Sequence, residues 1–593
     1  MNRPSWLDPT GVRAAIVLAI AAAVVNGIWL LLNHSVPSWD QAHYLSTTLQ
    51  YQDALDNGGP VELLRAIKNA DPSHGPLFTI LMLPLIYVSG PEQSSGLVLN
   101  LLIAPVLYFA AGEIAWIVFR NWAARLLTIV LVAAMPLMVG LFHNVLQDFL
   151  LVTLTTLSLL LLLKSEGFRR RGMTVAMALT MGLGTLTKVT FPLFVIGPVL
   201  VVSAQVVASA LRARKDGDQA ASRADLRRLG LNLGAAALVY LVVAFTWYGP
   251  NFSATLDYVR STTGGPLAEG AGPSNPYTFD AIASFTTGVV NFHLSWAILL
   301  VGLVAVALNW ARVKALFARP LRWTPLGNLA FLLSWAVIPY LSVALAKNQD
   351  VRLMAPALPA VAILVAGAIC AVRWRAARLA LTGFAVVVLG YQTLNHITDV
   401  TPGFMPDQAK VEIGSYSAAV QLNGEPIGYE QLPSPDYGTP AIEYIEEVAS
   451  NSPGGNTVPR TVCLLQSEAV VNSNTYRYLA SARNDPYVFV DVVTEPGGGQ
   501  RRLEEVLSGC NFALYVKPPP VPPSGPESRL TLVNEPYAAH HMTPRLLGLF
   551  RGPRRAFPLG SSSQSEGEAE YLDATGSNQV RVLVRTPGEG PVG

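Results

Sequence analysis

Apolar runs of about 20 residues recur between residues 14 and 394, and each ends in polar or charged positions. A helix of about 20 apolar residues spans the hydrocarbon core of a bilayer. The pattern predicts eleven spans, near 14–33, 97–119, 124–142, 149–164, 173–187, 190–210, 229–248, 293–311, 326–345, 354–372 and 378–395. His74–Gly90 is apolar but short, and Pro76 and Pro84 interrupt it. It reads as an interfacial or re-entrant helix inside a long loop, 34–96. Beyond 396 the pattern changes to short alternating units: helix Ala441–Ala449, strand Thr461–Gln466, helix Ser473–Ala482, strand Tyr487–Val493, helix Arg502–Ser508, strand Phe512–Val516. Such alternation predicts a small α/β domain with a parallel sheet. The expected fold class is an α-helical polytopic membrane protein over 1–395, with a C-terminal soluble α/β domain over 396–593. The stretches Gly560–Gly567 and Thr586–Gly593 read as loosely ordered.

Composition supports the membrane reading. Only 13% of the 593 residues are charged and 51% are hydrophobic, against a charged fraction of about 25% in soluble chains. The first apolar run lacks a small-residue cleavage site and reads as an uncleaved helix. Charge then orients the bundle, because cytoplasmic loops collect Lys and Arg. One set of alternate loops holds Arg120 and Arg125, Lys164 and Arg169 to Arg171, six cations from Arg212 to Arg228, then Arg312 to Arg322 and Arg373 to Arg378. The other set holds only Arg65, Lys68, Lys188, Arg260, Lys347 and Arg352. With Arg3 and Arg13 also inside, an odd number of spans sends the tail outside the cytoplasmic membrane. A true span at His74–Gly90 would invert every later loop, so the charge pattern rejects it. Cys463 and Cys510 lie at or just before tail strands, and both a disulfide and two buried thiols fit. His540 and His541 have no further ligand spacing to mark a metal.

The outer face collects the candidate chemistry. Asp40 sits in Ser38-Trp39-Asp40-Gln41-Ala42-His43-Tyr44, directly after the first span. A carboxylate at a membrane face must be solvated, paired or used. His74 opens the interfacial helix. His143 and Asp148 lie between spans three and four, Lys188 between five and six, and Lys347, Asp350 and Arg352 between nine and ten. Carboxylates beside cations suit a reaction with an anionic leaving group: a carboxylate takes a proton from a hydroxyl, and cations stabilise a departing phosphate. Each residue also has a structural reading. Asp148 fits as a helix cap, Lys188 as a snorkelling cation and Arg352 as an interfacial anchor.

Four segments resemble motifs of the GT-C type glycosyltransferases that use polyprenyl-phosphate sugars. They are Trp39-Asp40-Gln41-Ala42-His43-Tyr44, His74-Gly75-Pro76-Leu77, Gly182-Leu183-Gly184-Thr185-Leu186-Thr187-Lys188, and Arg352-Leu353-Met354-Ala355-Pro356-Ala357-Leu358-Pro359. The match covers about residues 10–395 and is similar to the protein O-mannosyltransferases and lipid A aminoarabinose transferases, with the bacterial RgtA/B/C/D-like branch. It implies Asp40 as the base, with Asp148 as a second acid. It implies donor-phosphate contacts from His74, Lys188 and Arg352, and Trp39, His43 and Tyr44 lining the substrate. Gln41 stands where relatives carry a second acid, so no metal and no other cofactor is expected. Gly75 stands where relatives carry proline. The implied partners are a polyprenyl-phosphate sugar donor, membrane lipids and an extracytoplasmic glycan, lipid or protein acceptor. A transporter or flippase and a non-catalytic scaffold are the competing classes. Transporters show internal repeats and broken mid-membrane helices, but the two halves show no repeat. A scaffold would tolerate loss of Asp40.

Overall fold

The structure is a computed structural model that describes residues 9–33, 36–215, 219–265, 268, 272–311 and 325–398. In the tail it describes 408–413, 416–421, 439–451, 459–464, 472–483, 485–491, 510–517, 555–558 and 579–584. The helices are α1 (Pro9–Gly27), α2 (Trp29–Leu32), α3 (Trp39–Asn69), α4 (Leu77–Ser89), α5 (Gln93–Phe119), α6 (Trp122–Ala134), α7 (Pro136–Phe142), α8 (Gln147–Lys164), α9 (Arg171–Thr187) and α10 (Phe191–Lys215). There follow α11 (Gln219–Tyr248), α12 (Phe252–Gly264), α13 (Phe279–Gly288), α14 (Trp296–Leu308), α15 (Pro325–Ala344), α16 (Leu358–Ala371), α17 (Arg375–Thr398), α18 (Thr439–Ser450) and α19 (Ser473–Arg483). A π-helical turn, Val289–Leu294, precedes α14, and a 3₁₀ turn, Val351–Ala357, precedes α16.

Among the described residues eight helices are long and apolar enough to cross a membrane, or ten if two bent pairs each count as one span. The protein is thus a multi-pass membrane protein. The bends have local causes. Between α6 and α7 the axis turns 62° at Met135, whose backbone is extended because Pro136 follows it. Between the π-helical turn and α14 it turns 97° at Ser295, held at φ 68, whose hydroxyl caps Ala297 N–H. The remaining expected span, α9, has 17 residues, about 26 Å of helix. The apolar helix Leu77–Ser89 has 13 residues, too few to cross. The cations of 312–324 and the expected helix Arg502–Ser508 lie outside the described residues, as do His540 and His541.

The chain divides into two compact units, Met1–Leu32, Ala54–Leu85 and Gly96–Leu432 in one, Asn33–Asp53, Ile86–Ser95 and Pro433–Gly593 in the other. In the first, α8 is buried along nearly its whole length, while Ile16, Val17, Ile20 and Val24 of α1 are exposed as a bilayer requires. Buried polar groups cross-link the bundle. Asn100 donates to the carbonyl of Asn144 at 2.8 Å, and Asn26 to that of Ala133 at 3.2 Å. Arg125 differs from its expected role as a topology-setting loop cation. It is buried, 2.8 Å from Glu113, with its guanidinium 4.7 Å from the Trp116 ring centroid. An antiparallel hairpin, β1 (Gln408–Ile413) with β2 (Tyr416–Gln421), packs on α13 and the π-helical turn.

The second unit holds a five-stranded sheet of β3 (Arg460–Leu464), β4 (Tyr487–Asp491), β5 (Phe512–Lys517), β6 (Arg555–Pro558) and β7 (Gln579–Val584), in the order β4-β3-β5-β7-β6. The expected strands β4, β3 and β5 are parallel, with Cys463 opposite Val490 and Ala513. Strands β7 and β6 add an antiparallel edge that the sequence reading missed. Cys463 and Cys510 form a disulfide with Cα atoms 5.8 Å apart, resolving the open alternative. Arg483 of α19 pairs with Glu443 and Glu446 of α18, each at 3.1 Å.

Candidate active site

In the first unit, three loops bring acids and cations together. Asp148 is the second residue of α8, and an acid in the first turn suits the positive end of the helix dipole. It is not the N-cap; Leu146 holds that place without a side-chain bond. Instead its Oδ1 lies 2.8 Å from Lys188 Nζ, with the side chains 3% and 18% exposed respectively. Lys188 therefore does not snorkel into the headgroups. It terminates α9 in extended conformation, its N–H donating to Gly184 O at 3.0 Å. Two tyrosines of α11 pin that helix end. Tyr248 donates to Thr185 O at 2.6 Å, and Tyr240 lies 3.3 Å from the Thr185 hydroxyl. The glycines of the motif have a packing reason: a Cβ on Gly182 would meet Val243, and one on Gly184 would meet the Phe191 ring.

His74 lies in a turn built by Asp71, which accepts the N–H groups of Ser73 at 3.2 Å and His74 at 3.3 Å. The carboxylate also lies 2.9 Å from His74 Nδ1, which assigns the proton to Nδ1 by hydrogen-bond logic. The ring of Tyr258 meets His74 edge-on, centroids 4.5 Å apart. This turn sits directly on the last turn of α9: a Cβ on Gly75 would overlap the Leu186 carbonyl. Glycine rather than proline at 75 is thus what the close approach demands, since proline also carries a Cβ.

Asp350 caps the 3₁₀ turn by accepting Arg352 N–H at 2.9 Å, and its Oδ2 takes the Arg352 guanidinium at 2.9 and 3.2 Å. Trp335 anchors the far end of the turn by donating to Pro356 O at 2.8 Å. Helix α8 packs against this turn. Burial pushes the Asp350 carboxyl up, but Arg352, through its charge and hydrogen bonds, and the Lys188 charge outweigh it and hold the carboxyl below its usual range. Lys188 thus acts on both acids. An ammonium carries three donors and a guanidinium five, so one carboxylate exhausts neither. None of these residues lines the apolar cavity of about 1410 Å³ bounded by Leu163, Val206, Leu303, Leu332 and Val365, which lies toward the opposite ends of α8 and α10.

In the second unit, Asp40 is the second residue of α3 and half-buried. Trp39 precedes it at φ 43, a left-handed conformation uncommon for a bulky residue. His43 and Tyr44 meet edge-on at 5.7 Å. The next residue, Gln41, is buried and accepts from Gln93 Nε2 at 3.0 Å. His143 belongs to the core of the first unit, stacked on Trp29 at 4.4 Å.

Sequence reasoning missed Asp71, Tyr258, Tyr240 and Tyr248. Asp71-Pro72-Ser73-His74 carried a turn signal that places an acid beside His74. The tyrosines carry no local signal, because their roles arise from packing between distant helices.

No protein-family model matches the chain, and no curated protein matches it by sequence. Solved structures do. The crystal structure of ArnT from Cupriavidus metallidurans bound to undecaprenyl phosphate is similar at 14% identity and a TM-score of 0.53, covering 97% of this chain and 99% of that one. The same protein in the apo state gives 14% identity and a TM-score of 0.49 over 87% and 94% of the two chains. The cryo-EM structure of the arabinosyltransferase EmbB from Mycobacterium smegmatis gives 14% and 0.31 over 65% and 41%. The chain has the membrane fold of ArnT, with a second unit built on an α/β sheet.

Proposed function

We propose that the protein is a membrane glycosyltransferase that moves a sugar, with inversion, from a polyprenyl-phosphate donor to an acceptor outside the cytoplasmic membrane. The observation that carries this reading is the convergence of the Lys188, Arg352 and His74 turns in the first unit, on the fold of a protein that binds undecaprenyl phosphate. In the proposed step the acceptor O–H gives its proton to the Asp40 carboxylate. The acceptor oxygen bonds the sugar C1 as the C1–O bond to phosphate breaks. The electron pair leaves on polyprenyl phosphate, whose charge Lys188, Arg352 and His74 stabilise. Asp148 and Asp350 hold the two cations in place. Trp39, His43 and Tyr44 line the sugar site. The step requires no metal or other cofactor. The tail faces the same side as the acceptor, as the loop charges imply.

The test is sugar transfer by the purified protein in proteoliposomes supplied with polyprenyl-phosphate sugars and extracts of envelope glycans, lipids and proteins. Asp40→Asn should lower turnover at least about 100-fold, the scale of a lost general base. Lys188→Ala and Arg352→Ala should each weaken donor use by roughly 1–3 kcal/mol. Wild-type turnover in Asp40→Asn would move the base role to Asp148. A second reading, a lipid or solute transporter, is favoured by the two bent helix pairs, since transporters carry broken membrane helices. Substrate flux without any sugar transfer would support it.

A further inference from the structure

Within the second unit, α19 bonds two segments that are distant from it in sequence. Asn472 starts the helix by accepting Thr475 N–H at 2.9 Å. The Thr475 hydroxyl lies 3.1 Å from Pro37 O and 3.2 Å from Asn472 Oδ1. One turn on, on the same helix face, Tyr478 donates to Pro91 O at 2.6 Å. The two receiving segments are tied together: Gln93 donates to Gln41 at 3.0 Å, and Asn33 donates to Gln93 at 3.3 Å. Thr475, Asn472 and Gln41 are almost wholly buried.

Between Pro37 and Gln41 lies Trp39, at φ 43. A left-handed bulky residue is strained and persists only where its surroundings dictate it. Here they do so from both sides. The carbonyl two residues before Trp39 is held by Thr475, and the side chain two residues after it by Gln93. The residue that this turn aims is Asp40.

We propose that Thr475 and Tyr478 are positioning residues that hold the left-handed turn at Trp39 and so direct the Asp40 carboxylate toward the acceptor hydroxyl. This rests on the assignment of Asp40 as the base. The tail is then a working part of the transfer step.

The experiment uses the purified full-length protein with the transfer assay above, thermal unfolding, and hydrogen exchange of peptides covering 36–46. Thr475→Val keeps the side-chain size and removes the hydroxyl. It should lower kcat about 10-fold, leave donor KM within about 2-fold, raise exchange at 36–46 and barely move the unfolding temperature. Thr475→Ser should restore kcat, and Tyr478→Phe should act like Thr475→Val. If Thr475→Val does not yield folded protein, Tyr478→Phe carries the same readouts. In an Asp40→Asn background, Thr475→Val should take nothing further from the residual rate. Unchanged kcat in both hydroxyl variants, with Asp40→Asn inactive, overturns the positioning role and leaves the base intact. A loss of kcat that tracks unfolding and is not restored by serine also overturns it. An active Asp40→Asn overturns the base assignment, and the proposal with it.

Discussion

A buried ion pair is judged by what its partner's removal leaves behind. Asp148 is 3% exposed and Lys188 18% exposed. Lys188→Met strands a carboxylate with no route to water, at a cost of about 3–5 kcal/mol. Asp148→Asn strands an ammonium on a flexible stem that reaches solvent, so its cost is smaller, about 1–3 kcal/mol. Chemical unfolding in detergent should rank the two variants in that order, and the double variant should recover part of the loss. Equal losses would mean that Lys188 is as confined as its partner. Asp350 adds a pH dependence of known sign. Its carboxyl is held below the usual range, so its contribution to stability is complete above the ordinary carboxylate range and is lost as pH falls through its depressed value. At this scale the sequence marked candidate groups and was silent about their pairing. Asp148 read equally well as a cap, and only the geometry gives it to Lys188.

At the scale of elements, the close approach of Gly75 to Leu186 fixes the His74 turn against the end of α9. Gly75→Ala must push backbone apart, which costs about 1–3 kcal/mol as overpacking does and shifts His74 relative to Lys188. Donor use should fall with it. Gly172→Ala, in α9 with nothing within 4 Å of the new Cβ, is the control and should be neutral or stabilising by up to about 1 kcal/mol. Donor kinetics and unfolding temperatures of the two variants check the contrast; equal behaviour would remove the steric account. Span positions were legible because apolar length is a strong signal. The bends at Met135 and Ser295 were not, since a hydrophobic run reads the same straight or broken, though Pro136 marked one of them. The parallel strands were legible from their alternation with helices. Strand β7 carries an equally alternating Gln-Val-Arg-Val-Leu-Val, but it follows a long polar stretch with no partner in sequence to announce a sheet.

For the whole molecule, the disulfide between β3 and Cys510, two residues before β5, closes a separation of 47 residues. The chain-entropy account gives it about 4 kcal/mol, and such a bond persists in an oxidising compartment, in keeping with the expectation that the tail lies outside the cytoplasm. Cys463→Ser should lower the unfolding temperature of the sheet-bearing unit. Thiol labelling of intact cells should find Cys463 and Cys510 unreactive until a reductant is added; ready labelling without it would contradict an oxidised tail. The bond from Thr475 to Pro37 bridges 438 residues and so sets a clock on biogenesis. At about 5–20 residues per second, the segment behind the first span emerges roughly 20–90 s before the helix that fastens it has been translated. A ribosome halted between the last span, which ends at Thr398, and that helix leaves a threaded bundle whose Trp39 turn has not yet been locked; on the proposed role of Thr475, transfer is then switched on only from the far end of the chain.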